Sequence, residues 1–312
     1  GEAANAFRAA ADLSPDAEAR RANLFSLAEA KRASGMPREA EAVLKELLGM
    51  DLPESMRAAA RLLEAECLAE LDPGAASAAF IRLAAEHPTR QEAGNALFRA
   101  AQITARSAAE MATPEGRSKA LALYRRAAEF SDPQLQAPSL LGMGLVALRA
   151  GKPADALAAF EAAAGVEGGG EASEQARFMK AEALLALGRV DEAVAAASAM
   201  IERSAGSAWG GEALFWLGRR QFNAGDYAKA EASFSEYALK WPTAAKADSA
   251  LLLKAQAQFY LGKNAEAIET AVALATAHPD SRCVPVARFI HAEALCELLQ
   301  FDAALLIFDD VV

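Results

Sequence analysis

Reactive chemistry needs complementary side chains at spacings that bring them together, and this chain offers few. Its histidines are His87, His278 and His291. His87 and His278 each stand immediately before a proline, in linker-packing positions, and His291 has only Ala287 and Leu295 at i±4, so no metal partner shares its helix face. The cysteines Cys67, Cys283 and Cys296 cannot all pair. Cys67 and Cys296 fall on apolar helix faces, where a free thiol behaves as a small buried hydrophobe. No Ser-His-Asp or Cys-His arrangement occurs. The run Gly165-Val166-Glu167-Gly168-Gly169-Gly170 lacks the Gly-Lys-Ser/Thr of a phosphate loop. Carboxylates are plentiful but lie at helical spacing near Lys or Arg, the pattern of ion pairs on a wet surface. Catalysis would require carboxylates meeting across distant segments. The expectation is a non-enzymatic chain with no cofactor and no metal.

Binding chemistry is better represented. Bulky apolar residues return at Phe25, Phe98, Leu141, Phe178, Phe215, Leu252 and Phe289, and the last five of these are 37 residues apart. Arg61 interrupts the series. Two helical turns further on stand Leu148, Leu185, Phe222 and Phe259. Between the two rows lie polar handles: Glu29, Gln102, Glu182, Arg219, Gln256 and Glu293. If this stripe faces solvent, it suits an extended peptide or an amphipathic helix. If a neighbouring helix covers it, the same phenylalanines are core. The sequence leaves both readings open.

The elements that must carry the stripe follow the same clock. Gly151, Gly188, Gly225 and Gly262 are 37 residues apart, and each is followed five residues later by alanine: Ala156, Ala193, Ala230 and Ala267. Such a glycine fits the left-handed residue that ends a helix. Pro37, Pro153, Asp191, Asp226, Asn264 and Asp302 then suit the start of a second helix. Pro88-Thr89, Pro242-Thr243 and Pro279-Asp280 read as a stop followed by a cap, which predicts a first helix over, for example, 244–261. The recurring alanine marks where the paired helices cross nearest. Four residues beyond it Leu44, Phe80, Tyr124, Phe160, Phe234 and Phe308 fill the gap to the next pair. One helix pair cannot bury both faces, so the pairs must stack.

Bulk properties agree. At 312 residues the chain exceeds one ordinary core, and its 53% hydrophobic content is rich in alanine with only 7% aromatics. No sustained strand alternation occurs. A net charge of −10 without a basic run argues against nucleic acid. No run is apolar enough for a transmembrane segment.

Leu214, Leu217, Gly218, Gly225, Tyr227, Ala230, Phe234, Tyr237 and Pro242 resemble the tetratricopeptide repeat (TPR) signature, as do Leu251, Ala255, Gly262, Ala267, Leu274 and Pro279. The resemblance implies an all-α, right-handed superhelical solenoid of helix pairs. Its first helices line a concave groove that binds a protein or peptide. On that basis the candidate binding residues are Phe98, Leu141, Phe178, Glu182, Phe215, Arg219, Phe222, Leu252, Gln256, Phe259, Phe289 and Glu293. The Lys and Asn of the chaperone-binding carboxylate clamp are absent from the groove positions. The 37-residue period and the string Ala213-Leu214-Phe215-Trp216-Leu217-Gly218 resemble the bacterial cell-envelope subgroup, which implies a periplasmic or outer-membrane-associated setting, with a cytoplasmic one as the alternative. A carbohydrate- or peptidoglycan-binding module is the alternative, since aromatic platforms flanked by carboxylates would serve it.

Three irregularities complete the reading. The array is expected to divide into residues 1–165, a Gly-rich loop or hinge at 166–170, and residues 171–312. The third repeat carries an insertion, read as a first helix prolonged to Ala112, a stop at Thr113-Pro114, and a second helix to Phe130 that forms decoration or a partner-contacting ridge. The outermost helices are unmatched, leaving Phe7, Leu305, Phe308 and Val312 to be exposed. That predicts a segment of a longer repeat protein, as a monomer or as a dimer through the bare ends.

Overall fold

The computed structural model describes residues 2–14, 16–86, 91–203 and 207–309, which form α-helices and no strand. His87, Pro88, Thr89, Val311 and Val312 lie outside them. The chain divides into two compact units, residues 1–176 and 177–312, and the divide falls inside one helix rather than in the Gly-rich loop.

The first unit opens with α1 (Glu2–Leu13) and continues through the pairs α2 (Ala17–Ala33) and α3 (Pro37–Leu48), and α4 (Glu54–Leu71) and α5 (Pro73–Glu86). Next come α6 (Gln91–Arg106), a short α7 (Ala108–Ala112) and α8 (Pro114–Ala128), then α9 (Pro133–Arg149) and α10 (Pro153–Ala164). The first turns of α11 (Gly170–Ala186) close it. The second unit holds the rest of α11, α12 (Val190–Arg203), and the pairs α13 (Ala208–Asn223) and α14 (Tyr227–Lys240), α15 (Ala247–Tyr260) and α16 (Asn264–Ala277), and α17 (Val284–Glu297) and α18 (Phe301–Asp309). Within the first unit α2, α4, α6 and α9, the first helices of their pairs, also touch one another in turn, as α13, α15 and α17 do within the second.

Packing follows the clock. Ala40, Ala76, Ala120, Ala156, Ala193, Ala230 and Ala267 are all fully buried at the crossing points. Phe80, Phe160 and Phe234 are the largest fully buried side chains. Each ring needs a small partner on the facing helix: a Cβ on Gly144 would stand 2.4 Å from the ring of Phe160. The helix-ending glycines Gly35, Gly151, Gly188, Gly225 and Gly262 take φ values of 70° to 78°. Leu299 holds the equivalent place before α18, at φ 61°.

Four expectations are corrected. Thr243 and Asp280 do not cap first helices: α15 starts at Ala247 behind Lys246, and α17 at Val284 behind Cys283. Successive turns occupy the intervening residues, with Ala247 N–H bonded to Ala244 O and Val284 N–H to Ser281 O. The extra residues of the 37-residue period are therefore spent in the linker there, and α15 and α17 are 14 residues long. In the third repeat α6 stops at Arg106, because the Ser107 hydroxyl accepts from Glu110 N–H and starts α7 instead. α7 folds back on α8: Lys119 pairs with Glu110 at 3.1 Å, and a Cβ on Gly116 would collide with Glu110 O at 2.0 Å. Asp191 and Asp302 lie in the first turns of α12 and α18 rather than at their caps. Finally, Phe7 is half-buried against the Leu24–Leu27 cluster, and Phe308 is half-buried beside Phe289. Leu305 is exposed as expected.

Candidate partner-binding surface

The recurrent stripe does not behave as one surface. In the second unit Phe178 lies against Met200, Ala213 and Trp209, its ring 5.9 Å from the Trp209 ring. Phe215 stands edge-on to Phe234 at 5.8 Å and to Tyr237 at 5.6 Å, and Lys246 Nζ lies 5.2 Å from its centre. Lys246 is held there by an ion pair to Glu212. Phe178 and Phe215 are buried, so at these two places the stripe is core rather than groove, whereas Leu141 is mostly covered but still borders the groove of the first unit. The sequence could not distinguish the two, because a covered and an uncovered helix face carry the same periodicity.

Elsewhere the same repeat position stays open. Phe98 and Leu252 are half-buried, and Phe289 is 45% exposed and touches Phe308 edge-on at 5.7 Å. Phe222 and Phe259 are half-buried; Arg219 is exposed, and Glu182, Gln256 and Glu293 are half-exposed. Two residues that were not among the candidate binding residues join this group. Tyr227 and Tyr260 stack at 4.7 Å, Phe222 lies 5.3 Å from Tyr227 and 5.9 Å from Tyr260, and Tyr260 is 57% exposed. Beside them Lys263 pairs with Glu231 at 2.8 Å.

In the first unit the open residues line a groove of about 430 Å³ across α6, α9 and the start of α11. Its apolar walls are Phe98, Pro138, Leu141 and Leu145, and its polar lining includes Gln102, Gln134 and Gln175. Phe98 is held by an edge contact with Tyr124 at 5.9 Å. Burial pushes the Tyr124 hydroxyl above its ordinary pKa, against the opposing pull of Arg106 and Arg149. The Gly-rich loop forms one rim, because Gln134 Nε2 donates to Gly168 O at 2.7 Å and Ser173 Oγ to Ala163 O at 2.8 Å. Primary amides beside an apolar wall can pair with both donors and acceptors of an extended backbone.

No cluster of His, Cys, Asp and Glu able to hold a metal occurs among the described residues. No described helix is long and apolar enough to cross a membrane. Cys67 is buried, and burial pushes its thiol pKa up to about 11.

A tetratricopeptide-repeat family model matches residues 141–208, and a second matches residues 212–244 and 249–281. Those segments are similar to TPR repeats. Solved TPR structures share the fold of the chain. The C-terminal part of a TPR repeat-containing protein from Cytophaga hutchinsonii aligns over 80% of this chain and 93% of its own, at 13% identity and a TM-score of 0.62. The apo form of RapI aligns over 93% of this chain and 85% of its own, at 11% identity and a TM-score of 0.61. A TPR protein from Parabacteroides merdae covers 88% of this chain and 98% of its own, at 13% identity and a TM-score of 0.53. Identities this low speak to the fold alone: an all-α solenoid of TPR-like helix pairs. No curated protein matches the sequence significantly. A TPR scaffold is suited to protein–protein interaction, so the open residues of its first helices are the surface to consider.

Proposed function

We propose that the chain is a non-catalytic scaffold that holds an extended peptide segment of a protein partner on the first helices of its pairs. The groove over α6, α9 and α11 carries this reading, because it combines an open apolar wall with glutamine amides in one concavity. The site residues in the first unit are then Phe98, Gln102, Leu141 and Leu145. Arg219, Leu252, Gln256, Phe259, Phe289 and Glu293 are the open candidates of the second unit. We also place the protein in a bacterial cell envelope, on the subgroup resemblance of its 37-residue period; fractionation of the source cells tests that directly.

The test of binding is selection of random heptapeptides on the immobilised chain. Leu145→Glu, checked by circular dichroism, serves as the groove variant. Peptides held by wild type and released by Leu145→Glu support the groove. Peptides held equally by both move the site elsewhere. A second reading is favoured by the stacked Tyr227–Tyr260 pair, whose outer face is free to stack on a sugar beside Glu231 and Lys263. Co-sedimentation with purified peptidoglycan that is lost in Tyr260→Ala would support it, and no sedimentation would remove it.

A further inference from the structure

A second cavity of the first unit adjoins the groove and differs from it in chemistry. It holds about 340 Å³ between α2, α4 and α6, and Gln102 lines both. Its charged lining is Arg32, Glu66, Glu70, Arg99 and Arg106, over an apolar floor that includes Phe80 and Ile103. Arg32 is engaged already, at 3.0 Å from Glu66 and 4.0 Å from Glu70. The two arginines of α6 are not. Arg99 makes one weak bond, 3.5 Å to Gln102 Oε1, and Arg106 makes no ion pair among the described residues. Glu110, the acidic residue nearest to Arg106 along the chain, is taken by Lys119.

Arg99 and Arg106 are seven residues apart, so they project from one face of α6 with Gln102 and Ile103 between them. A cation in the last turn of a helix is favoured by the helix dipole, which accounts for Arg106. It does not account for Arg99, two turns earlier. Three guanidinium groups against two carboxylates leave this pocket positive on a chain whose net charge is −10. Fixed planar forks of donors at the mouth of a small concavity suit a carboxylate.

We infer that this pocket takes an aspartate or glutamate side chain of the peptide whose apolar residues lie in the adjoining groove. The inference rests on the peptide-binding reading above and names the partner's chemistry: an acidic residue close to an apolar one.

The heptapeptide selection is repeated on the full chain as wild type, Arg99→Gln/Arg106→Gln and Arg99→Lys/Arg106→Lys. The best wild-type peptide is then titrated by fluorescence anisotropy beside a counterpart with its acid changed to the amide. Both arginines are exposed, so circular dichroism should be unchanged in both variants. Charge-assisted hydrogen bonds of this kind predict about tenfold or greater preference for the acid in wild type. The glutamine variant should bind acid and amide equally, and the lysine variant should keep a reduced preference. Equal binding of acid and amide by wild type overturns the inference, as does a preference that survives Arg99→Gln/Arg106→Gln. Apolar peptides without acid, lost on Leu145→Glu, overturn the pocket and leave the groove standing. Failure to select any peptide overturns both.

Discussion

Phe215 is where the two readings of the apolar stripe separate most sharply. Its side chain is buried and meets two aromatic rings at 5.6 and 5.8 Å. Burying a phenylalanine is worth about 1.5–3 kcal/mol by transfer. Two edge-on pairs add about 0.5–1.5 kcal/mol each. Phe215→Ala should therefore cost about 3–5 kcal/mol, the range of large-to-small aromatic replacements in cores. Phe289 occupies the same repeat position but is 45% exposed with a single ring partner, so Phe289→Ala should cost about 1–2 kcal/mol. The protein carries its own reporter: its three tryptophans, Trp209, Trp216 and Trp241, all belong to the second unit. Urea unfolding followed by tryptophan fluorescence should show the Phe215→Ala midpoint lowered by roughly 1–2.5 M, given a slope of ~2–3 kcal/mol/M. The Phe289→Ala midpoint should fall by less than half of that. A Phe215→Ala protein with a wild-type midpoint would refute the core assignment and restore this ring to the binding surface.

Four further outcomes are expected. A Cβ on Gly225 would meet no atom within 4 Å, so Gly225→Ala tests the φ of 78° alone and should lower stability in the same unfolding assay by about 0.5–1.5 kcal/mol. Leu299→Gly, at φ 61° with the side chain 75% exposed, should move stability the other way by up to about 1 kcal/mol, read by hydrogen exchange in α17 and α18. Cys67, with its thiol pushed up to about 11, should resist a thiol reagent at pH 8 until the chain unfolds, whereas the half-exposed Cys283 and Cys296 should react in the native state. Burial lowers the pKa of His291 below its ordinary value of about 6.5, so its contribution is complete above that value and is lost as pH falls through the folded one; His291→Gln should flatten the stability profile between about pH 7 and 5.

The helix pairs were legible because each carries marks that recur. The buried alanines at the crossings, the rings four residues on and the left-handed glycines all stand where the 37-residue clock puts them. Helix starts were less legible. Thr243 and Asp280 have capping side chains in the right place along the chain. Yet Lys246 is drawn to Glu212, and the Ser281 hydroxyl donates to Asp248 at 2.5 Å, so the linkers close into turns first. Side chains 34 and 33 residues apart made that choice, and no local signal carries it. The arginine pocket was hidden for a related reason. Arg32, Arg99 and Arg106 stand at three different places within their repeats, so following any one recurring place along the chain does not reveal the cluster.

That contrast bears on where recognition can reside in such a scaffold. A residue repeated in every unit answers a demand made by every unit, and here the demand is packing: Ala156, Ala193, Ala230 and Ala267 are all fully buried. A partner, by contrast, meets the stack once and in one register, so whatever distinguishes it must touch residues that differ from repeat to repeat. Gln102, Glu182, Arg219, Gln256 and Glu293 share one repeat position and are none of them buried, yet span neutral, acidic and basic chemistry. The arginines of α6 depart further still, since no other first helix carries arginine at both of their positions. The repeated part of the stripe therefore builds the wall. On the proposed function, specificity would belong to the departures from the repeat, and in the first unit those departures gather on α6, beside the one glutamine that the groove and the arginine pocket share.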